Sequence, residues 1–409
     1  MSAAPRAQRR VVIIGGSLVG LITGNLFHRA GWDVQVFERV SGNVEGRGAG
    51  ITILPGLVDG FCAAGAQVSE QSLGVELATR IALDKSGRIV AERDFSQVMT
   101  SWKRLYDELK NVFPSENYRA GMALQTVEQD DRHVIACFNE GERIEADLLV
   151  AADGLRSTVR AQFLPEIKPH YAGYIAWRCL TDEGDLSAAA HAQLFKRYSV
   201  CVAPGQQGVG YPVPGPDNSV EPGRRQYNTV WYCPVPEAGL RVLMTDDSGH
   251  YHANGIPPTL LTARIREQMI DKAAQVLAPQ FAEAVRCARL HFFQPIVDLE
   301  VPRLVFGRVV IVGDAAFTAR PHVAMGVPKG AGDALALMKA VGTDSDPLAA
   351  LAHFEAERLR IDAAIVARGR YLGAYMEAQL RSEAERARAD ALRVPETVMM
   401  ETAAPLVFS

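Results

Sequence analysis

Residues 11–27 read VVIIGGSLVGLITGNLF. Four β-branched apolar residues in a row can only be a strand buried on both faces, which in turn needs helices on both sides of its sheet. The run ends at Gly15-Gly16, and small and apolar residues then recur at helical spacing from Leu18 to Ala30, where Gly31 closes the helix. Val34, Val36 and Phe37 make a second strand ending at Glu38-Arg39, which completes one βαβ unit. Gly15 permits the tight turn and Gly20 the close helix packing of a dinucleotide fingerprint, but Ser17 stands where the second glycine, which lets the backbone approach a pyrophosphate, is expected. Serine is small enough to let a pyrophosphate approach, and its hydroxyl can donate to it. The amides opening the helix, at Ser17 and Leu18, form a seat for anions. Glu38, 23 residues beyond Gly15, is placed to accept both hydroxyls of an adenosine ribose and disfavours a 2′-phosphate. A chance glycine turn and a solvated strand-end charge are the alternatives for this stretch taken alone.

Two further stretches repeat the theme. In ADLLVAADGLRSTVR, a buried strand runs into Asp153-Gly154, with Ser157 and Arg160 following at helical spacing. In GRVVIVGDAAFTARPHVAMGVPKGAGDALAL, a strand runs into Gly313-Asp314, then a Pro/Gly loop, then a helix carrying Asp333. An aspartate at a strand end can bind a ribityl hydroxyl, and the amides of the next helix can stabilise a reduced flavin ring. Either stretch alone reads equally well as a structural turn.

Between these pieces the character changes. Tyr171–Met244 is rich in aromatics, β-branched residues and Pro/Gly turns and predicts antiparallel sheet; Leu260–Ala288 returns to helix, and Pro347–Arg393 is nearly all helical. We expect an α/β fold: a Rossmann-like domain built from 1–74, 102–170 and 295–392, an inserted, mainly antiparallel sheet domain from 75–101 and 171–294, a long C-terminal helix, and a tail at 393–409. With 409 residues there is enough chain for two cores. A net charge of −4 without a basic block argues against nucleic acid. The six cysteines lie far apart, without metal-ligand spacing, so we expect buried thiols in a reducing compartment and no metal. No stretch reads as a secretory signal or membrane span, so a cytoplasmic protein with no membrane partner is expected.

Together the three glycine-centred stretches resemble, in order and spacing, the FAD-dependent aromatic hydroxylases, single-component flavoprotein monooxygenases of the p-hydroxybenzoate hydroxylase type. GRGAGI from Gly46, YAGYIAWR from Tyr171 and GYPVPG from Gly210 bring the chain nearest to the 2,6-dihydroxypyridine 3-hydroxylase branch. The resemblance implies bound FAD, NADH or NADPH and O2 as co-substrates, and a flavin C4a-hydroperoxide that hydroxylates an electron-rich ring. By position it implies FAD contacts at Gly15, Ser17, Leu18, Gly20, Glu38 and Arg39. The loop Gly48, Ala49 and Gly50, the stretch Asp153-Gly154, and Asp314, Pro321, Gly326 and Val327 complete the expected FAD set. Departures from the family pattern are Phe317 in place of His, Pro328 in place of Gly, Lys329 in place of Asn, Trp102 in place of Arg and Leu54 in place of Gln.

For the ring itself the candidates are few. His322 and Tyr211 are expected to contact the substrate or relay a proton, with Arg178 attracting an anionic ring and Ala324 lining the site. Lys329 is a further candidate to favour an anionic flavin or substrate. The alternatives are ordinary packing for Tyr211, a backbone-satisfied imidazole for His322 and a salt bridge for Arg178. A hydroxypyridine-type ring leads; a phenolic ring, and a flavin-binding regulatory protein without turnover, stand beside it. The C-terminal helix leaves room for a homodimer.

Overall fold

The all-apolar strand Arg10–Ile14 lies deep in a six-stranded sheet, hydrogen-bonded on one side to Leu148–Ala151 and on the other to Asp33–Glu38. Tyr118–Ala120 extends the sheet at one edge and Val309–Ile311 at the other, all in parallel; Val305–Phe306 closes it antiparallel. The computed structural model describes residues 8–42, 50–253, 255–343, 347–376, 378, 380 and 382–406. Helices Leu18–Arg29 and Gly326–Thr343 pack against each other, and the long helix Pro347–Gly373 packs on the latter. Val11, Val12 and Ile13 have no exposed surface, as a strand covered on both faces requires.

The second layer is an eight-stranded sheet in the order Leu290–Asp298, His170–Asp182, Gln226–Pro234, Gln206–Val213, Arg197–Ala203, Val75–Leu83, Ile89–Ser101 and Gly50–Thr52. It is antiparallel throughout except where Arg197–Ala203 runs parallel to Val75–Leu83. Alternation along each strand gives the sheet two different faces. Trp177 and Trp231 point into a core with Phe195 and Phe281, covered by helices Ala188–Leu194, Ala263–Val276 and Pro279–Cys287. Their neighbours Tyr174, Tyr198, Tyr211 and Tyr232 point the opposite way, toward the six-stranded layer. A small sheet of Leu124–Gln129, Val134–Phe138 and Arg143–Ala146 flanks the first layer.

Three elements differ from expectation. The C-terminal helix is not continuous: after Gly373 it tightens into one 3₁₀ turn, Ala374–Met376. A Cβ at Gly373 would stand 2.4 Å from the Tyr174 hydroxyl, so the chain can pass here only as glycine. A new helix, Glu383–Ala391, starts at Ser382 with a reciprocal Ser382/Glu385 capping box. The helical stretch before Ala288 is likewise two helices, because Pro279 opens a new one after Leu277 and Ala278. The segment read as a tail forms helix Pro395–Glu401, docked on Val75–Leu83 and Arg197–Ala203. No helix among the described residues is long and apolar enough to cross a membrane.

Candidate functional site

At the C-terminal ends of the parallel strands, the turn after Ile14 opens a hollow of about 270 Å³. Gly15 turns the chain at φ 103°, and its amide donates to the Phe37 carbonyl at 2.8 Å. A Cβ on Gly15 would lie 2.3 Å from the Ala152 oxygen, and one on Gly20 would lie 1.8 Å from the Gly15 oxygen. Both positions therefore admit glycine alone. Ser17 is the N-cap of helix Leu18–Arg29, yet its side chain makes no capping hydrogen bond, which leaves the hydroxyl available to the hollow it lines. Glu38 is buried and spans the loop: one carboxylate oxygen accepts from the Gly16 amide at 3.0 Å, the other from the Val40 amide at 3.1 Å. Asp153 accepts from the Thr158 amide at 2.8 Å, while its buried Oδ1 has no hydrogen-bond partner among the described residues. Burial pushes its carboxyl above the ordinary range, against the pull of Ser157 and the helix amides. Gly154 follows at φ 75°.

A second hollow, about 490 Å³, lies between the tyrosine-rich sheet face and the loops after Val309–Ile311. Its floor includes Asp314, Pro321, Ala324, Gly326 and Val327. Its roof carries Tyr198, Tyr211 and Tyr232 with Val209, Val230 and Ile296, and Arg178 lies there too; Arg156 and Arg320 are further arginines lining the hollow. The Tyr211 hydroxyl donates to the Gly50 carbonyl at 2.9 Å, and a Cβ on Gly50 would sit 2.4 Å from the tyrosine ring. Arg178 is half-buried, and its Nε donates to Gln294 at 3.2 Å. Thr402 and Ala403, from the C-terminal segment, complete the wall.

Behind the floor sits a buried charge cluster. Gly313, at φ 63°, donates its amide to Asp333 at 2.9 Å, which fixes the turn that presents Asp314. Asp333 pairs with Arg358 at 2.7 Å and Lys329 at 3.5 Å, and Arg358 bridges on to Asp362 at 2.7 Å. Burial and the charge of Asp333 push the Asp362 carboxyl up, while Lys329 and Arg358 hold Asp333 down despite its burial. Arg320 makes a two-pronged pair with Asp298 at 3.0 and 2.8 Å.

Residues 171–298 match the family described as FAD binding domain-like. Over 355 residues the chain is 30% identical to 2,6-dihydroxypyridine 3-monooxygenase of Paenarthrobacter nicotinovorans, covering 86% of this chain and 87% of that one. The chain belongs to the FAD-dependent aromatic hydroxylases. A flavoprotein monooxygenase fold is matched again in the solved structure of 2,6-dihydroxypyridine-3-hydroxylase from Arthrobacter nicotinovorans, with a TM-score of 0.85, 29% identity, and 92% and 95% of the two chains covered. The Klebsiella pneumoniae HpxO structure complexed with FAD and uric acid shares the fold with a TM-score of 0.76 at 21% identity, covering 96% of this chain and 95% of that one. FAD-dependent urate hydroxylase of the same species is 25% identical over 85% of both chains.

The hydroxylase fold brings most of the expected site residues to the two hollows. Gly15, Ser17, Glu38, Arg39, Asp153 and Gly154 line the first; Gly50, Asp314, Pro321, Gly326, Val327, Ala324, Tyr211 and Arg178 line the second. Gly48 and Ala49 lie outside the described residues. Leu18 turns its side chain into the core, so it has only its helix-terminal amide to offer the first hollow. His322 corrects the expectation of direct substrate contact. Its ring has no exposed surface, packs 4.0 Å from the Tyr232 ring and lies 3.0 Å from the Tyr174 hydroxyl, one layer behind the wall. Burial, then the charges of Arg320 and Arg178, push its pKa down to about 3, so the imidazole is neutral. Lys329 likewise does not reach the hollow, because Asp333 holds it inside the cluster. Tyr198, Tyr232, Thr402 and Ala403 were missed. Strand alternation signals the two tyrosines; nothing local signals the other two.

Proposed function

We propose that this chain hydroxylates an electron-rich, hydroxylated aromatic ring of the hydroxypyridine type, with bound FAD, O2, and NADH or NADPH as electron donor. The observation that carries this reading is the pair of hollows. One suits an ADP moiety, and the other suits a flat, polar-edged ring against the flavin.

The first hollow fits the adenosine end of FAD by its chemistry. Gly15 and Gly20 keep the backbone bare, and the Ser17 hydroxyl and the Leu18 amide are available to a pyrophosphate. Glu38 and Arg39 border the place of the ribose, and Asp153-Gly154 the place between the two hollows. In the second hollow Asp314 is assigned to the ribityl hydroxyls, and Pro321, Gly326 and Val327 to the edge of the flavin ring, whose reduction by NAD(P)H supplies the oxygen-activating chemistry.

The chain's own work is positioning. Arg178 favours the anion of a ring hydroxyl or lactam, the more nucleophilic form. Tyr211 stacks at 5.5 Å on Tyr198, 8° from parallel, and forms a flat wall over the ring. Val209, Val230 and Ile296 exclude water from the reacting face. His322 stays neutral and reaches the site only through Tyr174 and Tyr232, so its part is to fix the wall.

The test is a panel assay on the FAD-loaded protein. NADH or NADPH oxidation is expected to be stimulated by hydroxypyridines, with stoichiometric hydroxylated product, and less by phenolic acids. FAD retained without any ring-stimulated oxidation would favour a regulatory flavoprotein. A protein that cannot be loaded with FAD would overturn the reading entirely.

A further inference from the structure

Arg80 has no exposed surface, and no described carboxylate lies within ion-pair distance of it. Its guanidinium is 3.9 Å from the centre of the Phe95 ring and 4.7 Å from that of Tyr198. A buried, unpaired cation is costly unless its N–H groups are all used. Here they are directed to Gln97 Oε1 and to three backbone carbonyls more than 300 residues away: Met399 at 2.8 Å, Thr402 at 2.7 Å and Ala403 at 2.9 Å. The C-terminal segment is therefore clamped by a side chain from the middle of the sheet.

Other bonds show what the clamp is holding. Gln207, on the sheet, donates to the Thr402 hydroxyl at 3.2 Å. The Ala403 amide donates to the His322 carbonyl at 2.8 Å, which ties the segment to the loop that carries Pro321 and Ala324. Ala403 is held at φ 50°, a conformation an L-residue adopts only when its surroundings impose it. Thr402 and Ala403 both line the second hollow, and so does Tyr198, which Arg80 touches from behind. The segment thus joins the roof and the floor of that hollow at one end.

We infer that Thr402–Ala403 form the specificity-determining end wall of the ring site, and that Arg80 is the positioning residue that holds this wall in place. The inference rests on the reading of the second hollow as the ring site. The wall sets how far a ring extends at this end of the hollow, so the size of the side chain at position 403 is expected to separate a monocycle from a fused bicycle.

Two full-length variants test this, both loaded with FAD. Ala403→Gly removes the methyl at a position whose φ suits glycine. It is expected to shift preference from a hydroxypyridine toward a hydroxyquinoline by roughly tenfold in kcat/KM, the scale of one methyl in a close pocket. Arg80→Gln is expected to raise ring KM more than it lowers kcat, and to weaken ring binding measured by flavin absorbance without NAD(P)H, with FAD content unchanged. If Arg80→Gln does not fold, Ala403→Gly decides alone. Wild-type ring binding with unchanged preference in Ala403→Gly overturns the wall and leaves the function standing. Absence of ring binding in the wild type overturns both.

Discussion

Single residues set what the site tolerates. Gly15→Val places a branched side chain against the Ala152 carbonyl at a positive φ, so the protein is expected to purify without FAD, read from its absorbance spectrum. Ser17→Gly removes a hydroxyl that no helix cap needs, and FAD affinity is expected to stay within a few fold. Arg178→Met removes the arginine among the roof tyrosines and leaves Arg156 and Arg320 in the lining; ring KM is expected to rise roughly 10- to 100-fold, the value of one charge-assisted contact, with FAD content unchanged. His322 carries a pH signature. Its folded pKa, about 3, lies below that of an unfolded histidine, so the unfolded state takes up the proton first as pH falls. Stability is expected to drop by about 2 kcal/mol between pH 7 and pH 5 from this residue alone. His322→Gln should flatten that part of the Tm–pH curve; an unchanged slope would show that the ring is not held neutral.

Elements matter through their junctions. The helix Gly326–Thr343 supplies Asp333, the helix Pro347–Gly373 supplies Arg358 and Asp362, and the turn at Gly313 is hung on Asp333. Arg358→Met removes one partner and leaves buried carboxylates facing each other. Destabilisation of about 3–5 kcal/mol is expected in denaturant melts, with weakened FAD retention because the Asp314 turn loosens. The first βαβ unit was legible residue by residue, since β-branched runs, glycine turns and helical spacing are local signals that burial reinforces. The need for glycine at 373 was not, because it is set by the Tyr174 hydroxyl, almost 200 residues upstream. The helix Pro395–Glu401 was read as tail for the same reason: seven residues hold no helix alone, and their stability comes from docking on Val75–Leu83 and Arg197–Ala203.

At the scale of the whole molecule, two layers meet across a cofactor-sized gap, and a ligand that fills it binds the folded chain only. FAD at a hundredfold excess over its dissociation constant is expected to add about 2.7 kcal/mol to stability, seen as a higher Tm than that of the flavin-stripped protein; equal melting would mean that FAD does not bind the folded chain in preference to the unfolded one. The glycine turns at Gly15, Gly154 and Gly313, with the acids at Glu38, Asp153 and Asp314, were readable from the chain because each is a strand end followed by a turn, a signal contained in a dozen residues. That local grammar determined the layered α/β class and pointed to a nucleotide-bearing site. Tertiary structure alone decided which side chains face the second hollow. His322, adjacent in sequence to the floor residue Pro321, went behind the wall, and Thr402 and Ala403, at the far end of the chain, came into it. Orientation at a wall depends on which distant surface a side chain must bury against, and no neighbour in sequence carries that information.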